Sequence, residues 1–356
     1  MSDKQADSAP NNEALRLAIF IDRETAKKYS TCLRRLLVGL TDQGYPSALV
    51  CPPRVNADYL TCPSVEVIRH PVFKTRLLFR QNRAVLLSEL EKFKPTILHC
   101  YSKSKARLTR TIARQLNIPY VITFNSILSK VFKPVVSTHH CGALIASSNK
   151  IADNLTEAYS RVADRVEHVN IGTFVEDTCA CFSEPRRLAS IVLAQRLDDT
   201  LDFEPLLNAV RHLAIDGYEF VLAVIGKGPA ERNIHRRIRN LGLTQIITIV
   251  PGIHPLRSVF AGADIFIHCQ SSVECNSLLL EAMGVGMAVA ACRDGVDDLL
   301  VEDQTAVFFN RQDELSIYNA LKKLLGTREF AKRIALGAQT HPVSYTHLTL
   351  PTTPYV

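Results

Sequence analysis

Short apolar runs alternate with helix-spaced apolar positions along the first half of the chain. Residues 15–21 form the first uniformly apolar run, and residues 25–43 then carry leucines at helical spacing up to Gly44. Apolar runs of strand length follow at 47–51, 65–69, 95–100, 120–124 and 143–147, and helical patterns at 71–93, up to Leu116 and at 149–159. Strands alternating with helices at this pace predict a parallel, doubly wound sheet.

A second series of the same kind begins at Ala189. Strands are expected at 190–193, 220–225, 246–250, 265–268 and 287–292, with helices at 203–214 and 231–240 and another around Leu278–Met283. Before this series the periodicity is lost, and Gly172 and Pro185 occur in a polar stretch that is typical of an interdomain linker. We predict a flexible leader (1–13), a Rossmann-like domain (14–173), a linker (174–188), a second Rossmann-like domain (189–342) and a tail (343–356).

Composition excludes several classes of protein. The chain is 47% hydrophobic, enough for two sizeable cores, but no apolar run approaches the roughly 18 residues of a membrane span. The polar leader does not resemble a signal peptide. The ten cysteines contain no CxxC pair, and the neighbours His139, His140 and Cys141 lack further ligands, so neither a disulfide framework nor a metal site is expected. A reducing cytoplasm is the expected location.

Charge is distributed unevenly along the chain. Residues 1–173 hold 25 Lys and Arg against 14 Asp and Glu, a net +11, whereas the remainder is −4 and the whole chain +7. The basic half could attract a phosphorylated acceptor or the surface of an anionic membrane, or it could be an ordinary solvated surface. The basic helix at 71–93 likewise suits either a membrane surface or its own sheet. Nucleic acid is not expected, because no binding module accompanies the charge.

Candidate chemistry gathers in residues 271–310, which read as loop, helix, strand, loop and strand. Glu274 and Glu281 flank the start of the helix, and Gly295 follows the strand. Open α/β sheets bind ligands at the carboxyl ends of their strands. Gly226 and Gly228 form a second candidate, a glycine turn before a helix that can admit a phosphate or a base. Glu231 stands where a dinucleotide fingerprint needs its third glycine, so a nicotinamide or flavin site is rejected.

Several motifs carry a resemblance to a known family. They are GKGP after a strand, QRL, GADIFIHCQSSVE, LLLEAMGVGMAVAA and GVDDLLVEDQTAVFF in the second half, and LNIPYVIT, LIASSN and VNIG in the first. Together they resemble the retaining GT-B glycosyltransferases of family 4, best over residues 190–309. The resemblance implies two Rossmann-like domains facing a cleft, with a nucleotide-diphosphate sugar bound by the second.

The resemblance also implies a set of site residues. The donor-binding residues would be Arg196, Glu281, Gly226, Gly228, Ser277 and Gly295, and the catalytic residues Glu274 and Asn125. Arg196 would bind the diphosphate, Glu281 the ribose hydroxyls, Gly295 the phosphates through backbone N–H groups, and Glu274 the sugar hydroxyls. No cofactor or metal is expected, because a positive pocket would meet the leaving phosphates.

The chain departs from the family pattern at four places. Leu201 stands where the family has a lysine, Val273 where it has the first glutamate of its pair, and Asn125 where it often has a histidine. The sequence DRETAKK replaces the glycine-rich loop after the first strand. Losing the lysine should cost about 1.5–3 kcal/mol of charged hydrogen bonding unless another cation, for which Lys227 is a candidate, replaces it.

Three functions remain open on the sequence. The leading hypothesis is transfer of a sugar, with retention of configuration, from a nucleotide-diphosphate sugar to a glycan or lipid-linked acceptor. The missing lysine, the shifted glutamate and the missing histidine favour a second hypothesis, a catalytically inactive GT-B protein that acts as a binding partner or scaffold. A nucleotide-sugar epimerase is the third.

The end of the chain has a pattern of its own. Residues 343–353, VSYTHLTLPTT, do not continue the helical periodicity before them and resemble a translated sequencing adapter. We therefore expect residues 343–356 to be a non-native tail that packs poorly on the rest of the chain.

Overall fold

The computed structural model describes residues 14–70, 76–129, 133–184, 186–252, 256–269, 273–293, 295–296 and 298–346. Their contacts divide them into two compact units. Unit 1 holds the described residues up to Phe124, then Leu128–Ala146 and Asn154–Glu167. Unit 2 holds Asn125–Ile127, Ser147–Asp153 and the described residues from His168 onward. The predicted leader 1–13 lies outside the described residues.

Unit 1 is built on one seven-stranded sheet in the order β3-β2-β1-β4-β5-β6-β7. Its strands are β1 (Leu17–Phe20), β2 (Ser47–Cys51), β3 (Val65–Arg69), β4 (Ile97–Cys100), β5 (Tyr120–Phe124), β6 (Cys141–Ala146) and β7 (Val166–His168). Its helices are α1 (Arg23–Lys28), α2 (Ser30–Asp42), α3 (Arg76–Phe93), α4 (Ala106–Leu116) and α5 (Asn149–Ala158), with 3-10 turns at Lys103–Lys105 and Ser160–Arg165. The pairs from β3 to β6 are parallel.

Unit 2 is built on a six-stranded parallel sheet in the order β10-β9-β8-β11-β12-β13. Its strands are β8 (Ala189–Ala194), β9 (Phe220–Ile225), β10 (Ile247–Val250), β11 (Ile265–His268), β12 (Ala288–Cys292) and β13 (Val307–Phe309). Its helices are α6 (Glu204–Ile215), α7 (Glu231–Asn240), α8 (Arg257–Phe260), α9 (Ser277–Gly284), α10 (Glu314–Gly326) and α11 (Arg328–Thr346). The predicted fold class, two doubly wound parallel-sheet α/β domains, is confirmed.

Uniformly apolar strands lie at the centre of each unit. All four residues of β1 and all five of β12 are buried, because helices cover both faces of a parallel sheet. Helix α3 was expected to lie either on a membrane surface or on its own sheet. Its carboxyl end buries Leu86, Leu90 and Phe93 in unit 1, which favours packing on the sheet for that part of the helix. The first residues of the predicted helix, 71–75, lie outside the described part of the chain. No helix among the described residues is long and apolar enough to cross a membrane.

Three segments differ from the sequence-based expectation. The predicted helix 25–43 is interrupted at Tyr29, whose backbone leaves helical geometry (φ −116°) while its ring packs edge-on against Tyr101. The predicted linker 174–188 is packed in unit 2, where Phe182 lies in the apolar core. Helix α11 continues past Val343 to Thr346, since extending an existing helix by a residue requires little free energy. Residues 347–356 of the predicted tail lie outside the described residues.

Candidate functional site

The predicted donor-binding residues emerge at the carboxyl edge of the second sheet. Because its strands are parallel, the loops after β8, β9, β11 and β12 all leave this edge. These loops carry Arg196, Gly226 with Gly228, Ser277 at the start of α9, and Gly295. The strand order reverses between β8 and β11, which is where open α/β sheets bind ligands.

Gly226 and Gly228 allow two loops at this edge to approach each other closely. A Cβ at position 226 would lie 1.9 Å from the carbonyl oxygen of Gln195, and one at 228 would lie 2.0 Å from that of Leu197. The backbones are joined by hydrogen bonds from Leu197 N to Lys227 O (3.2 Å) and from Ala230 N to Leu197 O (3.0 Å). The glycines therefore have a packing role that is independent of any ligand.

Arg196 points into solvent from the loop after β8. Its side chain is 71% exposed, and its Nε and Nη2 donate to both carboxylate oxygens of Asp198 at 2.9–3.1 Å. The same contact lowers the pKa of Asp198. An exposed ion pair of this kind contributes little to stability, so the guanidinium can exchange Asp198 for another anion.

Helix α9 begins with a well-formed cap. Asn276 is the N-cap residue, and its Oδ1 accepts a hydrogen bond from Leu278 N at 3.0 Å. Its Nδ2 lies 3.0 Å from Nδ1 of His268, the last residue of β11. Burial lowers the pKa of His268 to about 4, so at neutral pH the ring is uncharged and can accept this hydrogen bond through Nδ1. The contact ties the start of α9 to the end of β11.

Glu281 is a buried carboxylate in the second turn of α9. It is 3% exposed, and its Oε2 accepts from Nη1 of Arg257 at 3.1 Å. Arg257 also donates to Oε1 of Glu176 (2.7 and 2.9 Å) and to the carbonyl oxygen of Phe174 (2.9 Å). A buried charge needs such a partner, because desolvation of an unpaired carboxylate costs several kcal/mol. Arg257 thus joins α9 to the chain around residue 175.

That adjoining segment is packed tightly against the end of α9. A Cβ at Gly284 would lie 2.6 Å from Phe174 O, and Gly284 O accepts from Glu176 N at 2.9 Å. On the other side, Nε2 of the buried Gln339 donates to the carbonyl oxygens of Glu176 (2.8 Å) and Thr178 (3.2 Å). Residues predicted to be a linker therefore help to hold the carboxylate of Glu281 in place.

The two predicted catalytic residues, Glu274 and Asn125, lie on adjacent backbone segments of unit 2. Glu274 forms an isolated antiparallel bridge with Ser126, flanked by hydrogen bonds from Cys275 N to Asn125 O and from Ile127 N to Val273 O, both 2.8 Å. Asn125 is 7% exposed, and its buried Oδ1 has no hydrogen-bond partner among the described residues. Glu274 is half-buried, whereas Val273 is 65% exposed.

Gly295 lies in the loop after β12, and its carbonyl oxygen accepts from Nζ of Lys150 at 2.7 Å. Farther along this loop, Asp298 accepts a hydrogen bond from Asn149 N and lies 3.5 Å from Nε2 of His168. Asn149 and Lys150 lie in the first turn of α5, and this turn belongs to unit 2 although the rest of the helix belongs to unit 1. The start of α5 thus holds this loop by donating hydrogen bonds to the carbonyl oxygen of Gly295 and to the carboxylate of Asp298.

Three residues of this site were missed from the sequence. Asn276 could have been found, because an asparagine just before an apolar helical run is an N-cap signal. His268 was assigned only as the end of a strand. Arg257 carries no local signal, since its partners Glu281 and Glu176 lie 24 and 81 residues away along the chain. Within the described residues, no group of three or more His, Cys, Asp and Glu is placed to hold a metal ion.

Comparison with known protein families agrees with this architecture. Residues 30–173 match the model described as Glycosyltransferase Family 4, and residues 189–327 match the model described as Glycosyl transferases group 1. The first match includes strands β2 to β7 of the first sheet, and the second includes all six strands of the second sheet.

Two curated relatives are each 25% identical to this chain. The sulfoquinovosyl transferase SQD2 of Arabidopsis thaliana aligns over 291 residues, 73% of this chain and 56% of its own length. The GtfA subunit of the UDP-N-acetylglucosamine–peptide N-acetylglucosaminyltransferase of Streptococcus gordonii aligns over 141 residues, 40% of this chain and 27% of its own length. The chain therefore spans about half of the first relative and about a quarter of the second.

Solved structures share the fold across nearly the whole chain. A glycosyltransferase from Rickettsia africae superposes with a TM-score of 0.73 at 15% identity, covering 93% of this chain and 94% of its own. Anabaena HepE in complex with UDP-glucose superposes with a TM-score of 0.72 at 14% identity, covering 93% and 95%. With a family 4 match over its first sheet and a group 1 match over its second, the chain belongs to the glycosyltransferases of the GT-B fold.

Proposed function

We propose that the protein transfers a sugar from a nucleotide-diphosphate sugar to a glycan or lipid-linked acceptor, with retention of configuration. The transferase activities named for SQD2 and GtfA and the UDP-glucose bound by HepE support this proposal. The observation that carries it is the buried carboxylate of Glu281, held by Arg257 beside the carboxyl edge of a doubly wound sheet. A carboxylate in that place suits the two hydroxyls of a ribose, which are hydrogen-bond donors.

The diphosphate would be met by basic side chains at the same edge. Arg196 would exchange its exposed contact with Asp198 for the phosphates, to which a guanidinium binds as a fork. Leu201, which replaces the family's lysine, is 74% exposed and offers no charge. Lys227 is exposed on the adjacent glycine turn and is our candidate to supply it. Backbone N–H groups near Gly226, Gly228 and Gly295 would complete the phosphate site.

The main requirement of the reaction is to stabilise the leaving group, the nucleoside diphosphate. No covalent bond to the protein is invoked. As the nucleoside diphosphate leaves an oxocarbenium-like carbon, negative charge grows on its phosphates, and Arg196 would offset that charge. Glu274 would contact hydroxyls of the transferred sugar. The Oδ1 of Asn125 would accept a hydrogen bond from the sugar, which an amide can do without taking up a proton. We expect the reaction to need no metal ion, since Arg196 and Lys227 would neutralise the phosphates directly.

A catalytically inactive binding protein is the second candidate. Three observations favour it: an exposed Leu201, an exposed Val273 at the expected position of a glutamate, and an amide at position 125 in place of an imidazole. Such a protein would still bind a nucleotide sugar if Glu281 and Arg196 were sufficient.

Calorimetry with UDP-, GDP- and ADP-sugars, followed by an assay for released nucleoside diphosphate, separates the two candidates. The enzyme should bind one donor class and release nucleoside diphosphate, and EDTA should leave the rate unchanged. Glu281→Gln should weaken donor binding about ten-fold, as loss of one charged hydrogen bond does. Donor binding without turnover on any acceptor would favour the inactive protein, and absence of donor binding by the full chain would overturn the proposal.

A further inference from the structure

A second polar cluster lies at the carboxyl edge of the sheet in unit 1. The register pairs Phe20 with Val50 and with Cys100, and Cys51 with Arg69, so β1, β2, β3 and β4 all end at this edge. The strand order reverses between β1 and β4, so the topology marks this edge as a ligand-binding position in the same way as in unit 2. Among the side chains at this edge are Asp22, His70, Ser102 and Lys105, which follow these strands.

Lys105 is a buried lysine without a contact that neutralises it. The residue is 8% exposed, and its Nζ makes no hydrogen bond or ion pair with any described residue. Burial lowers its pKa, although Asp22, Cys100 and Cys51 act in the opposite direction. Those three residues belong to or follow three different strands, which places the ammonium group among the strand ends. Partial burial of an ammonium group is unfavourable, and an anion bound to it would offset that cost.

His70 is a second buried base at the same edge. It is 6% exposed, and its ring makes no hydrogen bond to the described part of the chain. Burial, with a smaller effect from Lys105, lowers its pKa to about 4, so the ring is neutral at neutral pH and retains one N–H donor. His70 and Lys105 are therefore neighbouring nitrogen donors at one sheet edge, and neither has a hydrogen-bond acceptor among the described residues.

The nearby carboxylate, that of Asp22, already accepts hydrogen bonds from other residues. Asp22 caps α1 by accepting from Thr25 N at 2.8 Å, and it also accepts from the hydroxyl of Ser104. Burial alone would raise the pKa of Asp22, but the bonds from Ser104 and Thr25 outweigh it and lower the pKa. Ser102 links the same two segments, since Asp22 N donates to its Oγ (2.9 Å) and its Oγ donates to Thr25 Oγ1 (2.7 Å). Asp22 is therefore held in a structural role, and it makes no ion pair with Lys105.

We propose that Lys105 and His70 form a binding site for a phosphate group carried by the sugar acceptor. This inference rests on the proposed transferase function and adds the chemical class of the acceptor to it. Two nitrogen donors without acceptors in the described part of the chain suit an oxygen-rich ligand, and the ammonium favours an anion over a neutral hydroxyl. The excess of basic residues in the first half, 25 Lys and Arg against 14 Asp and Glu, draws anions to this unit.

A ligand role and a structural role predict opposite effects on stability. If Lys105 serves a ligand, Lys105→Met removes an uncompensated buried charge and leaves the thermal midpoint of the free protein unchanged or higher. If Lys105 were instead a structural partner of Asp22, the same change would strand a carboxylate and lower the midpoint. The free protein thus tests the assignment before any ligand is added.

Calorimetry of the full chain with inorganic phosphate, in the absence and presence of UDP, tests binding directly. The wild type should bind phosphate when UDP is present, and Lys105→Met should weaken that binding at least ten-fold while leaving UDP affinity unchanged. His70→Phe should weaken it as well. Arg107→Met, on the exposed side of the next turn, is the matched control and should bind as the wild type does.

Absence of phosphate binding by the wild type would overturn the proposal, and so would equal binding by wild type and Lys105→Met. If Lys105→Met fails to fold, His70→Phe decides, and unchanged phosphate affinity in that variant counts against the site. Co-sedimentation with phosphatidylcholine vesicles, with and without phosphatidic acid, assigns the phosphate to a lipid if Lys105→Met loses binding and to a soluble acceptor if it does not. Failure to bind any nucleotide sugar would instead overturn the proposed function.

Discussion

At the scale of single residues, the candidate donor site depends on the ion pair between Arg257 and Glu281. Its removal by Arg257→Met would leave the carboxylate of Glu281, 3% exposed, without its cationic partner. Breaking a buried pair from one side should lower the free energy of unfolding by about 3 kcal/mol, and it should also weaken donor binding. Urea unfolding measures the first effect and calorimetry the second.

Lys92→Met is the matched control, because Lys92 forms an ion pair with Glu89 at 2.7 Å on an open surface. Its urea midpoint should equal that of the wild type, as exposed pairs contribute little. If Arg257→Met were as stable as this control, Arg257 would not be holding Glu281 in solution.

Gly228 has two explanations in the sequence: a turn that admits a phosphate, or a position where two loops approach too closely for a side chain. Gly228→Ala would place a Cβ 2.0 Å from Leu197 O, so the loops after β8 and β9 must separate. We expect a loss of about 1–3 kcal/mol, typical of overpacking, measured by urea unfolding. Gly39→Ala, in the exposed middle of α2 with nothing within 4 Å of the added Cβ, should instead stabilise the protein by about 0.5–1 kcal/mol. Equal effects at the two positions would contradict the close approach.

At the scale of elements, the start of α9 is the structure to test. Asn276 and Asp313 cap α9 and α10 in the same way, each accepting from the backbone N–H two residues later at 3.0 Å. Replacing either by alanine should cost about 1 kcal/mol in urea unfolding. Only Asn276→Ala should also weaken nucleotide-sugar binding in calorimetry, because only α9 begins at the candidate site and carries Glu281. Unchanged donor affinity in Asn276→Ala would separate α9 from the site.

At the scale of the whole molecule, buried histidines couple stability to pH. Burial lowers the pKa of His70, His99 and His268 to about 4 in the folded chain, against an ordinary value of 6.5. Between these values the unfolded chain binds more protons than the folded one, so the free energy of unfolding should fall as the pH is lowered from 6.5 towards 4. Each histidine contributes a slope of up to about 1.4 kcal/mol per pH unit.

Urea midpoints measured across that range test this coupling, and His99→Gln should remove about one third of the slope. His99 is a suitable choice because its Nε2 lies 2.7 Å from Thr123 Oγ1, a contact that an amide can keep. A slope identical to that of the wild type would mean that His99 is accessible to protons in the folded chain.

The sequence predicted most strands correctly where an apolar run was sharply bounded. Ser47–Cys51, Tyr120–Phe124 and Phe220–Ile225 have the predicted limits, because strands between helical layers are mostly apolar and mostly buried along their length. The break at Tyr29 was missed, since the apolar spacing continues across it and only the packing of its ring on Tyr101 distinguishes the two helices. The packed segment around Phe182 looks like a linker in the sequence because it lacks periodicity. Hydrogen bonds from its backbone hold it, from Phe182 N to Asp264 Oδ1 (2.7 Å) and from Cys181 N to Gly286 O (2.9 Å).

By itself, the sequence determined two doubly wound sheets. It also placed Arg196 and the glycine turns after strands and Glu281 on a helix, because periodicity and loop position are local properties of the chain. Only the tertiary structure decided which charges meet. The partnership of Arg257 with Glu281 and Glu176, and the isolation of Lys105 beside His70, depend on side chains that folding brings together from distant positions. Burial then decides how strongly each charge needs a partner, and no local pattern encodes burial of that kind.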